Sequence, residues 1–324
     1  MFDDDKKLYI KLIFQKGQLI SVSKKIIFPI LKRFFYPKHL YRVIQLQLGR
    51  KKKDRAFDDA QLKLYSKLLP GDFLHYGYFE DANKKPEDMS LNDIYQAQEN
   101  YGWQIVNLIA DTSQPALDIG CGMGGLIALM TQKGIKAVAL TPDKNQAKHI
   151  REKYVDTILL ECRFEDIKAD NYNNYFGTVI TSESLQYLKL DQALPIINKI
   201  LQSGGKWIVC DYFKVKEKEG KGGHNWELFT KKLDENGFRI NYQKDITPNV
   251  LPTISYVDML TTKIGFPIKD FIIEKLQVKA PGIHYALEGA LPEIEAKIKK
   301  NTDKTDPVIF AANKRYMLLV IERK

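Results

Sequence analysis

The residues most able to do chemistry gather in one stretch, Ala116-Leu117-Asp118-Ile119-Gly120-Cys121-Gly122-Met123-Gly124-Gly125-Leu126. An apolar run ends in glycines and a helical pattern begins. At such a turn backbone can approach a ligand closely, and the first helical N–H groups point at it. Read literally, Gly120, Gly122 and Gly125 satisfy the G-x-G-x-x-G dinucleotide fingerprint. Two neighbours argue against a dinucleotide. Asp118 stands two residues before the first glycine, where a carboxylate meets a diphosphate badly and an ammonium well. The next apolar run, Lys136 to Asp143, carries Ala139 where a ribose-binding acid is expected, with Asp143 and Gln146 as substitutes.

The ligand those residues suit is an amino acid joined to a nucleoside, as in S-adenosylmethionine. Other candidates are spread along the chain: His75, Tyr76 and Tyr78 in Leu74-His75-Tyr76-Gly77-Tyr78-Phe79, Glu183 and Tyr187 in Thr181-Ser182-Glu183-Ser184-Leu185-Gln186-Tyr187, and His224 in Gly222-Gly223-His224. His75 and Tyr76 read equally well as a packed aromatic corner, and His224 as a solvent-exposed loop residue. Cys121 reads as a small residue that fits the turn, since nothing beside it in sequence would lower its thiol pKa. The three cysteines, Cys121, Cys162 and Cys210, form neither a disulfide framework nor a metal-binding pair, and no metal site is expected.

Positioning these residues requires a particular order of elements. Beyond Ser113, short apolar runs alternate with helical stretches, the signature of βαβ units and a parallel sheet. Strands are expected at Ala116–Ile119, Ala137–Leu140, Thr157–Leu160, Gly177–Thr181 and Lys206–Tyr212, then Phe238–Lys244 and Tyr316–Ile321. Helices are expected from Gly125, Lys144 and Asp191, and a capped one from Ser90 toward Ile109. About 70 mostly helical residues separate the last two strands, far more than a hairpin needs, and read as a lid over about 246–315.

In this order and spacing the sequence resembles the class I S-adenosylmethionine-dependent methyltransferases, most nearly the branch of cyclopropane fatty acid synthases and sterol and tocopherol methyltransferases. The resemblance covers about Asp72 to Lys324 and rests on Leu74–Phe79, Leu117–Gly125, Leu140-Thr141-Pro142, Thr181–Ser184 and Leu201–Lys206. It implies a doubly wound, seven-stranded, mostly parallel α/β sheet, with S-adenosylmethionine as cofactor and S-adenosylhomocysteine as product. Carried over residue by residue, Gly120, Cys121, Gly122 and Gly124 line the methionine moiety with Asp118, and Thr141 and Pro142 border the ribose. Tyr76 and Tyr78 close the site, and Ser182 and Glu183 stand beside the sulfonium. Arg163 occupies the position where the family often has an adenine-binding Asp, leaving Phe164, by backbone and ring, to hold adenine. Glu183, Tyr187 and His75 are the candidate catalytic groups. Cyclopropanation is rejected: the aromatic motif lacks its Cys, Gln186 replaces a Glu, and Asp211 or Tyr212 replaces a His. What remains is methylation at carbon, oxygen or nitrogen of a small, bulky, apolar molecule such as a lipid or isoprenoid.

Charge sets the rest of the organisation. Residues 1–60 hold 15 Lys and Arg against 6 Asp and Glu, so the net charge of +10 lies almost wholly there. This gives a basic, mostly helical N-terminal arm over 1–89 and a methyltransferase domain over 90–324. The arm could cap the domain, dock on a membrane surface or bind RNA. An RNA methyltransferase and a degenerate binding module are the alternatives to a small-molecule enzyme, and nucleic acid is disfavoured. No run of about 20 apolar residues and no signal peptide is apparent, so a cytoplasmic protein, peripheral at the membrane if the arm docks there, is expected.

Overall fold

In the computed structural model, residues 36–48, 71–215, 222–289, 291–302 and 306–324 are described. Most of the basic arm, expected to be mostly helical, therefore lies outside the described residues. Helix α1, Pro37–Leu48, is its described portion, and it begins at Pro37, whose fixed φ suits a first helical turn. Among the described residues, 36–48 and Ile272–Gly289 form one compact unit and the remainder a second. The second unit carries the sheet and the candidate site.

That unit opens with α2, Leu91–Val106, whose N-terminus is fixed by a capping box: Ser90 accepts from the Asp93 N–H, and the Asp93 carboxylate accepts from the Ser90 N–H. There follow β1 Ala116–Ile119, α3 Gly125–Gln132, β2 Ala137–Leu140, α4 Lys144–Lys153, β3 Ile158–Leu160 and β4 Phe176–Ser182. After these come α5 Leu190–Ile200, β5 Leu201–Lys214, α6 Trp226–Glu235 and β6 Phe238–Asp245. The long insert is helical as expected: α7 Thr247–Leu260, a π-helical turn Thr261–Gly265, then α8 Phe266–Lys279, α9 Pro281–Glu288, α10 Leu291–Thr302 and α11 Pro307–Asn313. It returns to β7, Lys314–Arg323.

The seven strands lie in the order β3-β2-β1-β4-β5-β7-β6. Strands β1 to β5 pair in parallel, and β7 runs antiparallel to both β5 and β6. Parallel strands buried on both faces read as unbroken apolar runs, which explains why β1 and β2 were legible. Strand β5 begins earlier than expected, at Leu201, because Leu201 pairs with Phe176 across an irregularity in β4.

Side chains alternate between two cores. One face packs Ala116, Ile180, Ile208, Cys210, Tyr316 and Leu318 against Tyr101 and Ile105 of α2, Met130 of α3 and Ile254 of α7. The opposite face packs Leu117, Val138, Val179, Trp207 and Leu319 against α5 and α6. Each fully buried Leu, Ile, Val or Phe stabilises such a core by about 1.5–3 kcal/mol. Trp207 keeps its polar atom satisfied by donating to the Thr181 hydroxyl at 3.1 Å.

Residues 72–79 form a strap along the first face, and four consecutive amides in it donate to different partners. Tyr76 N–H reaches the Glu183 carboxylate at 2.9 Å, Gly77 N–H the Thr253 hydroxyl at 3.0 Å, Tyr78 N–H the Ala97 carbonyl at 2.7 Å and Phe79 N–H the Asn249 carbonyl at 3.0 Å. An irregular segment thus satisfies its backbone as completely as a strand would. Two of those partners, Asn249 and Thr253, lie on α7, so the first helix of the insert is part of the platform.

Candidate active site

The sheet order reverses between β1 and β4, and in doubly wound sheets ligands bind at the carboxyl edge of that switch point. The glycine turn leaves the tip of β1 there. Gly120 has φ +78°, and a Cβ on it would lie 2.6 Å from the Ser184 Cβ, so only glycine lets the two turns approach. Ser184 completes the contact by donating to the Ile119 carbonyl at 2.5 Å. Gly122, also at positive φ, meets only Leu74 of the strap, which a Cβ would touch in ordinary van der Waals contact at 3.5 Å.

Four buried side-chain atoms among the described residues lack a hydrogen-bond partner: Asp118 Oδ2, Asp143 Oδ2, His75 Nε2 and Gln98 Oε1. Sealed polar atoms are nearly always paired, so such atoms call for an explanation. Asp118 is 1% exposed, and burial alone pushes its carboxyl up to about 7. A carboxylate held this way is a ready partner for an ammonium. Asp143 follows β2 and caps α4, its Oδ1 accepting from the N–H groups of Asn145 and Gln146 while Oδ2 is left over. Thr141 at the same tip is occupied, donating to Gln146 at 2.6 Å and accepting from the Asp143 N–H at 3.1 Å, whereas Pro142 is exposed. Ala139, where an acid was sought, lies mid-strand opposite Asp118, so Asp143 is the first acid past the strand.

Glu183 follows β4 with φ +50°, a conformation that costs a non-glycine residue roughly 1–2 kcal/mol and that clusters at functional sites. Its Oε1 accepts from the Tyr76 N–H and, at 2.6 Å, from the Tyr316 hydroxyl. Burial pushes the carboxyl up to about 7, with those two hydrogen bonds acting against the rise. Around it stand aromatic rings. Tyr76 meets Phe310 edge-on at 6.2 Å and Tyr316 at 6.0 Å, and Tyr212 lies 5.9 Å from Phe310 and 6.3 Å from Tyr316. Behind them Tyr101 shares a 2.8 Å hydrogen bond with Tyr316, and its hydroxyl also reaches Ser182 Oγ and the Cys210 carbonyl, each at 3.2 Å.

The structure therefore brings Asp118, Gly120, Cys121, Gly122, Gly124, Tyr76, Ser182 and Glu183 to one edge of the sheet. Other expected residues go elsewhere. Tyr78 is turned toward β6, its hydroxyl accepting from Lys244 at 2.9 Å. Tyr187 is 54% exposed on the turn after Glu183. The ring of Phe164 is sealed in the opposite core, so it offers no face to an adenine, and the exposed Arg163 side chain lies 3.8 Å from Glu165. His75 stacks on Tyr101 at 4.1 Å and donates from Nδ1 to the Tyr76 carbonyl; burial brings its pKa down to about 4, so the ring is neutral. His224, expected in solvent, is half-buried and donates to the Leu185 carbonyl at 2.9 Å, pinning the turn below Glu183. Among the described residues no group of three or more His, Cys, Asp or Glu is placed to hold a metal ion, and no helix is long and apolar enough to cross a membrane.

Sequence reasoning missed Tyr101 and Tyr316. The available signal was a polar ring at the start of an otherwise apolar strand, Tyr316-Met317-Leu318-Leu319-Val320-Ile321. Because β7 is antiparallel, its first residues lie at the carboxyl edge of the parallel strands, and Tyr316 pairs with Tyr212 of β5.

Comparison with known proteins agrees with this architecture. A methyltransferase-domain family model matches residues 117–209. A sterol 4-C-methyltransferase of Caenorhabditis elegans is 31% identical over 107 residues, 31% of this chain and 32% of that enzyme, so the match spans about a third of the relative's length. An uncharacterized methyltransferase of Alkaliphilus oremlandii is 24% identical over 58% of this chain and 83% of its own. Among solved structures, the geranyl diphosphate C-methyltransferase of Streptomyces coelicolor A3(2), in complex with magnesium, geranyl diphosphate and S-adenosylhomocysteine, superposes with a TM-score of 0.59 at 15% identity, covering 82% of this chain and 94% of that one. With the strand order, the glycine turn beside Asp118 and the matched segment in agreement, residues 117–209 match a methyltransferase domain, and the sheet around them has the fold of S-adenosylmethionine-dependent methyltransferases.

Proposed function

We propose that this chain transfers a methyl group from S-adenosylmethionine to a carbon atom of a small, largely apolar acceptor. The observation that carries the reading is Glu183, a carboxylate held inside a box of aromatic rings directly beside the glycine turn. The unpartnered atoms fit the cofactor: Asp118 would take the ammonium of its methionine moiety, Gly120 to Gly124 would admit its backbone-like part, and Asp143 would accept from a ribose hydroxyl. When bound, S-adenosylmethionine supplies an electrophilic methyl group on a sulfonium. Methyl transfer to an alkene forms a carbon–carbon bond from the π pair while the carbon–sulfur pair returns to sulfur, leaving a positive carbon that must lose a proton.

The box suits that sequence. The rings of Tyr76, Tyr212 and Phe310 give the site an apolar, electron-rich wall, although Lys314 already stands over those of Tyr212 and Phe310, and Glu183 accepts the departing proton. Strap and rings also exclude water and hold the reactants in line, which is where most of the rate enhancement of such a displacement arises. Two of the similar proteins are named for C-methylation of a sterol and of geranyl diphosphate, which supports a bulky isoprenoid-like acceptor here. The basic N-terminal segment, residues 1–60, fits delivery of such an acceptor from a membrane surface.

The test is calorimetric titration of the full chain with S-adenosylhomocysteine. Binding in the micromolar range is expected, abolished by Gly122→Asp, which puts a charged side chain on a left-handed turn residue against the strap. No binding by the wild-type chain, or binding untouched by that change, overturns the reading.

A further inference from the structure

We infer that Tyr316, with Tyr101 behind it, is the positioning residue for Glu183, fixing one carboxylate oxygen as a permanent acceptor so that the other, Oε2, is the one that takes the acceptor's proton. This rests on the reading of Glu183 as the base.

The argument is one of donors and acceptors. An ionised carboxylate only accepts, so the single proton of the Tyr316 hydroxyl is committed to Glu183 Oε1. The 2.8 Å contact between Tyr316 and Tyr101 must then use the Tyr101 proton, with Tyr316 accepting. Tyr101 in turn accepts from Ser182 Oγ. The hydroxyls form a chain of one polarity: Ser182 to Tyr101 to Tyr316 to Glu183. Each link strengthens the next. Tyr76 N–H also lands on Oε1, so both anchors hold the same oxygen. The Cys210 carbonyl, 3.2 Å from the Tyr101 hydroxyl, competes for the same proton over a longer contact than the 2.8 Å one to Tyr316.

Three different elements supply these groups. Tyr101 comes from α2, Ser182 from β4 and Tyr316 from β7, and a residue at positive φ such as Glu183 holds its rotamer only where its surroundings over-determine it. The ionisable groups facing Glu183 are Tyr76 on the strap, Tyr101 on α2 with His75 stacked on it, Cys210, Asp211 and Tyr212 on β5, and Tyr316 on β7; Lys314 lies over the rings of Tyr212 and Phe310. Burial raises both phenols well above the usual tyrosine range, so they remain donors at any working pH.

The experiment is an infrared titration of the full chain labelled with carbon-13 glutamate, without acceptor, using Glu183→Gln to assign the band. Tyr316→Phe keeps the ring and removes the proton given to Oε1. Its expected effect is an upward shift of the Glu183 midpoint by about one pH unit. Tyr101→Phe leaves the first link in place and should shift the midpoint by about 0.3 to 0.5 unit. It decides the matter if Tyr316→Phe fails to fold. A midpoint within 0.2 unit of wild type in the folded variants overturns the assignment. A purely structural role for Tyr316 would lower stability without moving that midpoint. Failure of the functional reading is separately visible, as absence of S-adenosylhomocysteine binding, because the titration uses neither cofactor nor acceptor.

Discussion

At the scale of single residues, Asp118 gives the sharpest expectation. Its carboxyl, raised to about 7 by burial, is largely protonated below neutrality in the free chain. An ammonium placed against it favours the ionised form, so binding S-adenosylhomocysteine must expel a proton at acidic pH. Affinity is therefore expected to rise with pH, up to tenfold per unit below 7, and to level off above it. Titration calorimetry in two buffers of different ionisation heat should reveal the released proton at pH 6, and Asp118→Asn should abolish the release and weaken binding about 10- to 100-fold. An affinity independent of pH between 6 and 8 would exclude the pairing. Asp118 was legible because it stands at a fixed distance from glycines that mark a strand-to-helix turn. Tyr316 was not, because nothing in a run ending in Leu-Leu-Val-Ile tells which edge of the sheet it starts from.

Elements were legible where one physical signal determines them and obscure where two distant segments meet. Buried parallel strands declare themselves as apolar runs, so β1 and β2 match their expected bounds, and Ser90 with Asp93 announces the start of α2. The strap has no periodicity, and its partners Asn249 and Thr253 stand about 170 residues away with no pattern joining them. Nor could spacing show what fastens its leading end. There Asp72 accepts from Tyr154 at 2.5 Å, Lys153 at 2.7 Å and His149 at 3.1 Å, all on or just after α4. Burial acts to raise the Asp72 carboxyl, but the hydrogen bonds outweigh it and hold it below the usual range. Removing these contacts in Asp72→Ala is expected to cost about 1–3 kcal/mol of stability. The strap should loosen from that end, so amide exchange should accelerate most at Tyr76 and least at Phe79, with faster release of bound S-adenosylhomocysteine. Uniform acceleration across the whole sheet would instead mean that Asp72 supports the fold at large and not the strap.

On the scale of the whole molecule, the antiparallel last strand gathers groups from β1, β4, β5 and β7 at one edge, and the result is a concentration of buried acids that the fold must tolerate. Burial raises Asp118 and Glu183 to about 7, and burial with the nearby Glu183 charge raises Asp211 to about 8. A carboxyl whose pKa is raised on folding binds its proton more tightly in the native state, so the stability it contributes is complete below the unfolded pKa and is lost as pH rises through the folded value. His75 and His224 act in the opposite sense, since burial lowers both, but their effect ends near the unfolded histidine pKa of about 6.5. Asp72, Asp93 and Glu322, all lowered, titrate at more acidic pH. Between about pH 6.5 and 8 the three raised carboxyls dominate among the described residues, and unfolding free energy is expected to fall by about 2–4 kcal/mol. Urea unfolding of the ligand-free chain across that interval measures the slope, and Asp211→Asn, which removes one of the three acids and relieves Glu183, should flatten it by more than a third. A stability that stays flat over the same interval would show that these acids are already ionised in the native fold, and the ammonium-seeking role of Asp118 would fall with it.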